Sequence, residues 1–473
     1  MNPGTHAEGA ACPKEAADGP RPTLRRNYLS GFENVAQTLG TMAPTGTLGV
    51  IIPLIIAKTG NGSWLLILAV VGIFFLILVN INVFATRCAS AGGLGTYAGL
   101  GLGPRSGAAT KWIYVIAMLF SVAGSAPSAA YYACLLLSRS TGIPNDALLT
   151  VSVTTLIVGA SWWTAYRDMK LSSDVMFVIE VFSLGVIILI IAVAMAHAGP
   201  WIDASQLTLQ GSGPKAIGRG LVLGFIMMGG FESATTLGEE ARNAERTIPR
   251  AILHCMLPLG ALYVVMTYFL VGLSRKYGIA LDQLEAPFDT IARANHQPVM
   301  GALSSAGMAM SYFACTLGSL NAGARALYSL SEDGLFFASV GRAHPANATP
   351  SRAIAILCVV AIAAPALLLL RGVTLVDCID DLSEMAALGF IGSYFMVCLA
   401  APAYLARLGR LQWPTALASA AALILLAGVL VKSLYPVPPA PECYLPCAFA
   451  AFVLLGLLLS WRARRAPLAP AAA

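Results

Sequence analysis

Charge is the scarcest thing in this chain: Asp, Glu, Lys and Arg make up 11% of its 473 residues. A soluble chain carries about 25%, and so few charged groups cannot clothe a water-exposed fold. The five histidines are scattered and form no ligand cluster, and the ten cysteines lie mostly in apolar runs, as small core residues do. The one close pair, Cys443 and Cys447, lacks companion ligands, so neither a metal site nor a cofactor is expected. A phosphate-binding loop is missing too. Gly99-Leu100-Gly101-Leu102-Gly103 lacks the Lys-Ser/Thr and the strand context of one, which removes ATP as the direct energy source. Basic residues form no single patch, which speaks against a nucleic-acid partner. The polar opening residues contain no apolar core of the kind a cleaved signal peptide needs, and residues 1–27 read as a disordered cytoplasmic tail.

What the chain has in abundance is apolar length. Hydrophobic residues make up 57% and the mean hydropathy is +0.75. Runs near the ~20 residues that a helix needs to cross ~30 Å of hydrocarbon recur throughout. Twelve are expected, at 31–57, 64–85, 107–137, 146–166, 172–198, 217–240, 249–274, 299–331, 352–370, 380–405, 412–433 and 444–462. With a cytoplasmic N-terminus, 20 of the 29 basic residues fall on the inside, Arg25, Arg26, Arg87, Arg105, Arg242 and Arg246 among them. That excess predicts both termini in the cytoplasm of a multi-pass protein of the cell membrane.

Two of the twelve runs are interrupted. The first contains Gly40-Thr41-Met42-Ala43-Pro44-Thr45-Gly46-Thr47, and the sixth contains Gly229-Gly230-Phe231-Glu232-Ser233. A helix that breaks in lipid must bury its freed amides and carbonyls in protein or in a wet cavity. Breaks at matching places in two five-span halves point to an inverted repeat with a binding site at the bilayer midplane.

Three stretches then resemble the amino acid–polyamine–organocation superfamily of permeases. Gly230-Phe231-Glu232-Ser233-Ala234-Thr235-Thr236-Leu237-Gly238-Glu239-Glu240, followed by Arg242-Asn243 and Thr247-Ile248-Pro249-Arg250, is similar to the family's sixth span and its exit. Ser319-Leu320-Asn321-Ala322 with Arg325, Tyr328, Glu332-Asp333-Gly334 and Thr349-Pro350 resembles the end of span eight and the loop into nine. Ser90-Ala91-Gly92-Gly93 with Tyr97 resembles the loop after span two. The resemblance implies an all-α membrane protein of the leucine-transporter type, in which twelve helices form a five-plus-five inverted repeat and two extra helices. On that plan 28–405 is the transport core (28–200 and 215–405 its repeats), 406–463 holds helices eleven and twelve, and 464–473 is a second cytoplasmic tail. It also implies a substrate held between spans one, three, six, eight and ten, most commonly an amino acid, with amines behind. One departure matters. Relatives carry Gly-small-Gly at the first break, whereas this chain reads Pro44-Thr45-Gly46 and so loses one backbone donor.

Candidate residues follow from what a zwitterion needs. The amides of Thr45, Gly46 and Thr47 are expected to take its carboxylate; carbonyls near Ala43 and around Gly230 and Phe231 would take its ammonium. Ser233 shares the second break, Phe231 is placed as a lid, and Tyr312 and Tyr114 line the cavity from spans eight and three. Of three carboxylates inside spans, Glu180, Glu232 and Glu384, the first is the candidate proton carrier and the second props the break open. Proton-coupled relatives often place a lysine near the position of Glu180. Sodium, held by span-one carbonyls and by Ser311, Thr316 or Ser319, is the competing driver, and exchange is a further mode. Glu239 and Glu240 are expected to pair with Arg87 or Arg105 as an inner gate, with Arg325 in reach of the same network. The function so read is secondary transport of an amino acid or related amine without enzymatic activity; the rival of another class is a non-transporting amino acid sensor.

Overall fold

The computed structural model describes residues 23–143, 146–198, 202–279, 286–435 and 442–465. Of the expected tails, 1–22 and 466–473 lie outside the described residues, whereas 23–27 are described and 464–465 end the last helix. In the described residues the chain is helical, with an isolated bridge between Leu29 and Ala241 in place of a sheet. In order the helices are α1 (Gly31–Met42), α2 (Pro44–Gly46), a π-turn (Thr47–Ile51), α3 (Ile52–Thr59), α4 (Ser63–Ala85), α5 (Gly93–Leu102), α6 (Pro104–Thr141), α7 (Ala147–Arg167) and α8 (Met169–Ala198). After a short α9 (Ala204–Leu207) come α10 (Pro214–Ile226), a 3-10 turn (Ser233–Leu237), α11 (Ala244–Tyr277), α12 (Pro287–Ala294) and α13 (Pro298–Glu332). The last are α14 (Ser351–Leu370), α15 (Leu375–Arg407), α16 (Trp413–Leu434) and α17 (Leu445–Arg465).

Local chemistry accounts for the first break. α1 opens on a capping box in which Ser30 and Glu33 satisfy each other's free amides. It stops at Met42 because Pro44 has no amide to donate and crowds the residue before it out of the helical region. Ala43 accordingly sits at φ 43°, ψ 63°, left-handed, and Pro44 opens α2 where its missing N–H costs nothing. α10 likewise stops at Ile226, and Gly230 turns the chain at φ 85°.

Among the described residues, eight helical stretches are long and apolar enough to cross a bilayer, Gly31–Ala85 counting as one. Leu148, Leu156, Val178, Val359, Leu370 and Ile424 are more than half exposed. An apolar belt of that kind suits lipid and would be a liability in water. α13 is long enough but is not among the eight, because Ser, Gly, Thr and Asn dilute its apolar run. It lies at the centre against α1, α6, α7, α8 and α14 and is built of small residues that let backbones approach. A methyl added at Gly318 would come within 2.5 Å of Thr41 Oγ1, and one at Gly323 within 2.9 Å of Met118.

Candidate functional site

The first break meets α8 and α13 at a buried carboxylate. Glu180, on α8, is fully buried, and the Ser311 hydroxyl lies 2.8 and 3.0 Å from its two oxygens as donor. The same Ser311 oxygen accepts the Gly46 amide at 3.2 Å, and the Thr45 amide is a further donor to Glu180. The Thr47 amide goes to the Ala43 carbonyl at 2.9 Å and its hydroxyl to the Met42 carbonyl at 3.2 Å. Each backbone donor assigned to substrate from this segment therefore has a protein acceptor. Tyr312 donates to the Gly46 carbonyl at 3.3 Å, and its ring stacks on Tyr132 with centroids 6.2 Å apart. A methyl at Gly46 would stand 2.9 Å from the Tyr312 ring, so that position requires the absence of a side chain.

The second break is held by a tyrosine from α15. Tyr394 accepts the Gly230 amide at 3.3 Å and donates a short hydrogen bond to Glu232, which is fully buried. Tyr114 of α6 lies beside the same carboxylate. Phe231 is fully buried in an aromatic cluster, edge-on to Phe74 at 5.3 Å and to Tyr394 at 5.6 Å. The Ser233 hydroxyl reaches the Gln37 carbonyl at 3.4 Å, and Gln37 in turn donates to the Gly318 carbonyl at 2.8 Å, tying both breaks to α13. Tyr394 lay in an apolar run that offered no signal for it. Replacing it with phenylalanine strands one buried amide and one carboxylate, and should lower unfolding free energy by about 1–3 kcal/mol. Denaturant unfolding in detergent reads this, and an unchanged midpoint would mean that the clasp is idle.

Of the hydroxyls named for sodium, Thr316 pairs with Ser125 at 2.9 Å and Ser319 with Ser121 at 2.8 Å, both on α6, while Ser311 donates to Glu180. Glu384 is half-buried on α15, and Asp168 accepts from the Lys170 amide at 2.7 Å as a cap does.

Arg325 grips Glu240 with two nitrogens, both side chains at most 3% exposed. Glu240 also receives the Tyr28 and Leu29 amides on its carbonyl at 2.7 and 2.9 Å. Arg87 is not brought to either glutamate: among the described residues it donates to the Val83 carbonyl and the Thr86 hydroxyl of its own helix end. Glu239 accepts the Ala91 amide at 3.3 Å. Beside it a cavity of about 1110 Å³ is lined by Ser90, Thr96, Lys111, Glu239, Asn243 and Arg246, among others. Lys111, 5% exposed, is tied there to Asp333 at 2.6 Å.

The helical fold and the apolar belt together describe a multi-pass helical membrane protein. Its architecture is that of the crystal structure of MhsT in complex with L-phenylalanine, of the leucine-transporter type, with a TM-score of 0.58 at 14% identity, covering 87% of this chain and 99% of that one. The chain belongs to the amino acid permease family, whose model matches residues 29–458. It is similar to the branched-chain amino acid permease BcaP of Lactococcus lactis subsp. cremoris, with 27% identity over 46% of this chain and 45% of that protein. The Bacillus subtilis BcaP is 24% identical over 41% of each chain. The cationic amino acid transporter 5 of Arabidopsis thaliana is 26% identical over 41% of this chain and 35% of its own. The matched stretches thus span less than half the length of these curated relatives.

Proposed function

We propose that this protein is a secondary transporter that carries an amino acid or related amine across the cell membrane by alternating access, driven by protons. In this reading the chain crosses the bilayer twelve times, as two inverted repeats of five spans (28–200 and 215–405) plus two helices. Both termini are cytoplasmic, and spans one and six are the broken ones. The observation that carries the coupling is Glu180: a carboxylate with no exposure, hydrogen-bonded to the first break and to α13. A group buried so deeply is stable when it is protonated or faces a cation, and its position lets either event bias how the broken span sits on α13. Family membership and the shared fold support transport. The Arg325–Glu240 pair is read as the inner lock and the cavity beside Glu239 as part of the inner mouth. Sodium coupling is the alternative driver, and a sensor that binds without moving its ligand is the alternative of another class.

Counterflow of labelled leucine and of labelled isoamylamine into proteoliposomes tests transport, and binding without counterflow of either would favour the sensor. Imposing a pH gradient then tests the coupling: uptake by wild type should rise with the gradient, and uptake by Glu180→Gln should not respond. A variant that stays equally sensitive removes Glu180 from the coupling step.

A further inference from the structure

Glu180 stands where a substrate carboxylate would otherwise be received. Pro44 has no amide, the Thr45 amide faces Glu180, Gly46 donates to Ser311, and Thr47 donates to Ala43. A second carboxylate brought to these groups would find its donors taken and a like charge beside it. Among the described residues none of the ion pairs involves Glu180, so no protein cation matches it. Beside it the Thr45 hydroxyl is a buried oxygen without a hydrogen-bond partner, and the Tyr132 hydroxyl, whose ring stacks on Tyr312, is another. Tyr263 lies near both Glu180 and the Thr47 hydroxyl. Buried polar atoms in native proteins rarely go unpaired, and a ligand that brings several N–H groups and one positive charge would satisfy this set.

A second feature points the same way. α15 begins with Asp377, Asp380, Asp381 and Glu384, a spacing that puts all four on one helical face. Asp380 is exposed, and its charge reaches the Tyr312 hydroxyl. Negative charge on that face concentrates cations and repels anions. Behind it, Val50, Met308 and Tyr132 pack as an apolar cluster with the Tyr312 ring against it.

From this geometry we infer that Glu180 is a built-in substitute for the substrate's own carboxylate, so that the site selects primary amines with an apolar body and no α-carboxylate. The inference rests on the transport reading above and names the substrate class for it. Glu180 and the hydroxyls of Thr45 and Tyr263 take the ammonium, and the tyrosine pair with Met308 takes the apolar body.

Matched pairs of probes test it on the purified full-length chain: isoamylamine against leucine, and phenethylamine against phenylalanine. Thermal unfolding against ligand concentration reads each affinity. Each amine should bind about 30-fold or more tightly than its amino acid, the order of effect expected when a buried charge is matched rather than opposed. Glu180→Gln should lose the preference for amines. The wild-type comparison is decisive even where that variant fails to fold. Amino acids that bind as well as their amines overturn the inference, as does a folded Glu180→Gln that keeps the preference. Counterflow separates the two levels: leucine moving without isoamylamine ends this inference and leaves transport standing, whereas movement of neither probe ends both.

Discussion

Replacing Arg325 with methionine should cost about 3–5 kcal/mol of stability, because it leaves Glu240 charged, buried and alone. Both side chains of the pair are at most 3% exposed, so solvent cannot take over from the guanidinium. A second substitution, Glu240→Leu on top of Arg325→Met, should recover most of the loss, since replacing both ends of a buried pair by apolar groups removes the stranded charge. The Glu240 backbone keeps its bonds from Tyr28 and Leu29 in either variant, so the double-mutant cycle isolates the side chains. Denaturant unfolding of the two singles and the double measures the coupling. A double variant as unstable as Arg325→Met would show that the pair acts through its neighbours. If the pair is also the inner lock, the double variant should regain stability while a cysteine placed at Thr235, now fully buried, becomes open to thiol reagents.

Gly230→Ala should have the second largest effect, for two separable reasons. Its φ of 85° belongs to a region that L-residues enter at a cost of about 1–2 kcal/mol. Its new methyl would stand 2.5 Å from Thr41 Cγ2, an overpacking worth about 1–3 kcal/mol more. Thr41→Ser removes that methyl and should return the second part while leaving the first. Gly46 makes the contrast: its backbone is helical at φ −61°, so Gly46→Ala should meet only the Tyr312 ring at 2.9 Å. Unfolding midpoints of Gly230→Ala with and without Thr41→Ser check the partition. Full recovery by serine would mean that the backbone carries no strain there.

These two glycines show how unevenly the site could be read. Gly46 and Gly230 stand out in the sequence because each lies in a Gly- or Pro-interrupted stretch at a matching place in the first and sixth runs. The sequence does not say that Gly230 crosses span one at Thr41, or that Tyr312 lies over Gly46, since both contacts join segments far apart in the chain. The inner gate illustrates the same limit. Sequence points Glu239 and Glu240 at Arg87 or Arg105, with Arg325 only in reach, because charges on one membrane face give no distances. Arg87 instead bonds the carbonyl end of its own helix, as a cation at a helix C-terminus does. Tyr394 and Tyr263 escaped notice altogether, because a tyrosine among leucines reads as core until its hydroxyl is seen to have, or to lack, a partner. α13 fails the hydropathy test for the opposite reason: a helix enclosed by five others needs small residues more than apolar ones.

By itself, the sequence determined that this chain lives in lipid, that Gly and Pro interrupt its apolar runs at Pro44 and near Gly230, and which family it resembles. Charge scarcity, apolar run length and helix-breaking residues act locally, so they can be read one segment at a time. Only the tertiary structure decided which groups answer one another across the breaks: Glu180 with Ser311 and Thr45, Tyr394 with Gly230 and Glu232, Arg325 with Glu240. The partner of a hydrogen bond or an ion pair is set by distance in space, and spacing along the chain carries no trace of it once the two ends lie on different helices.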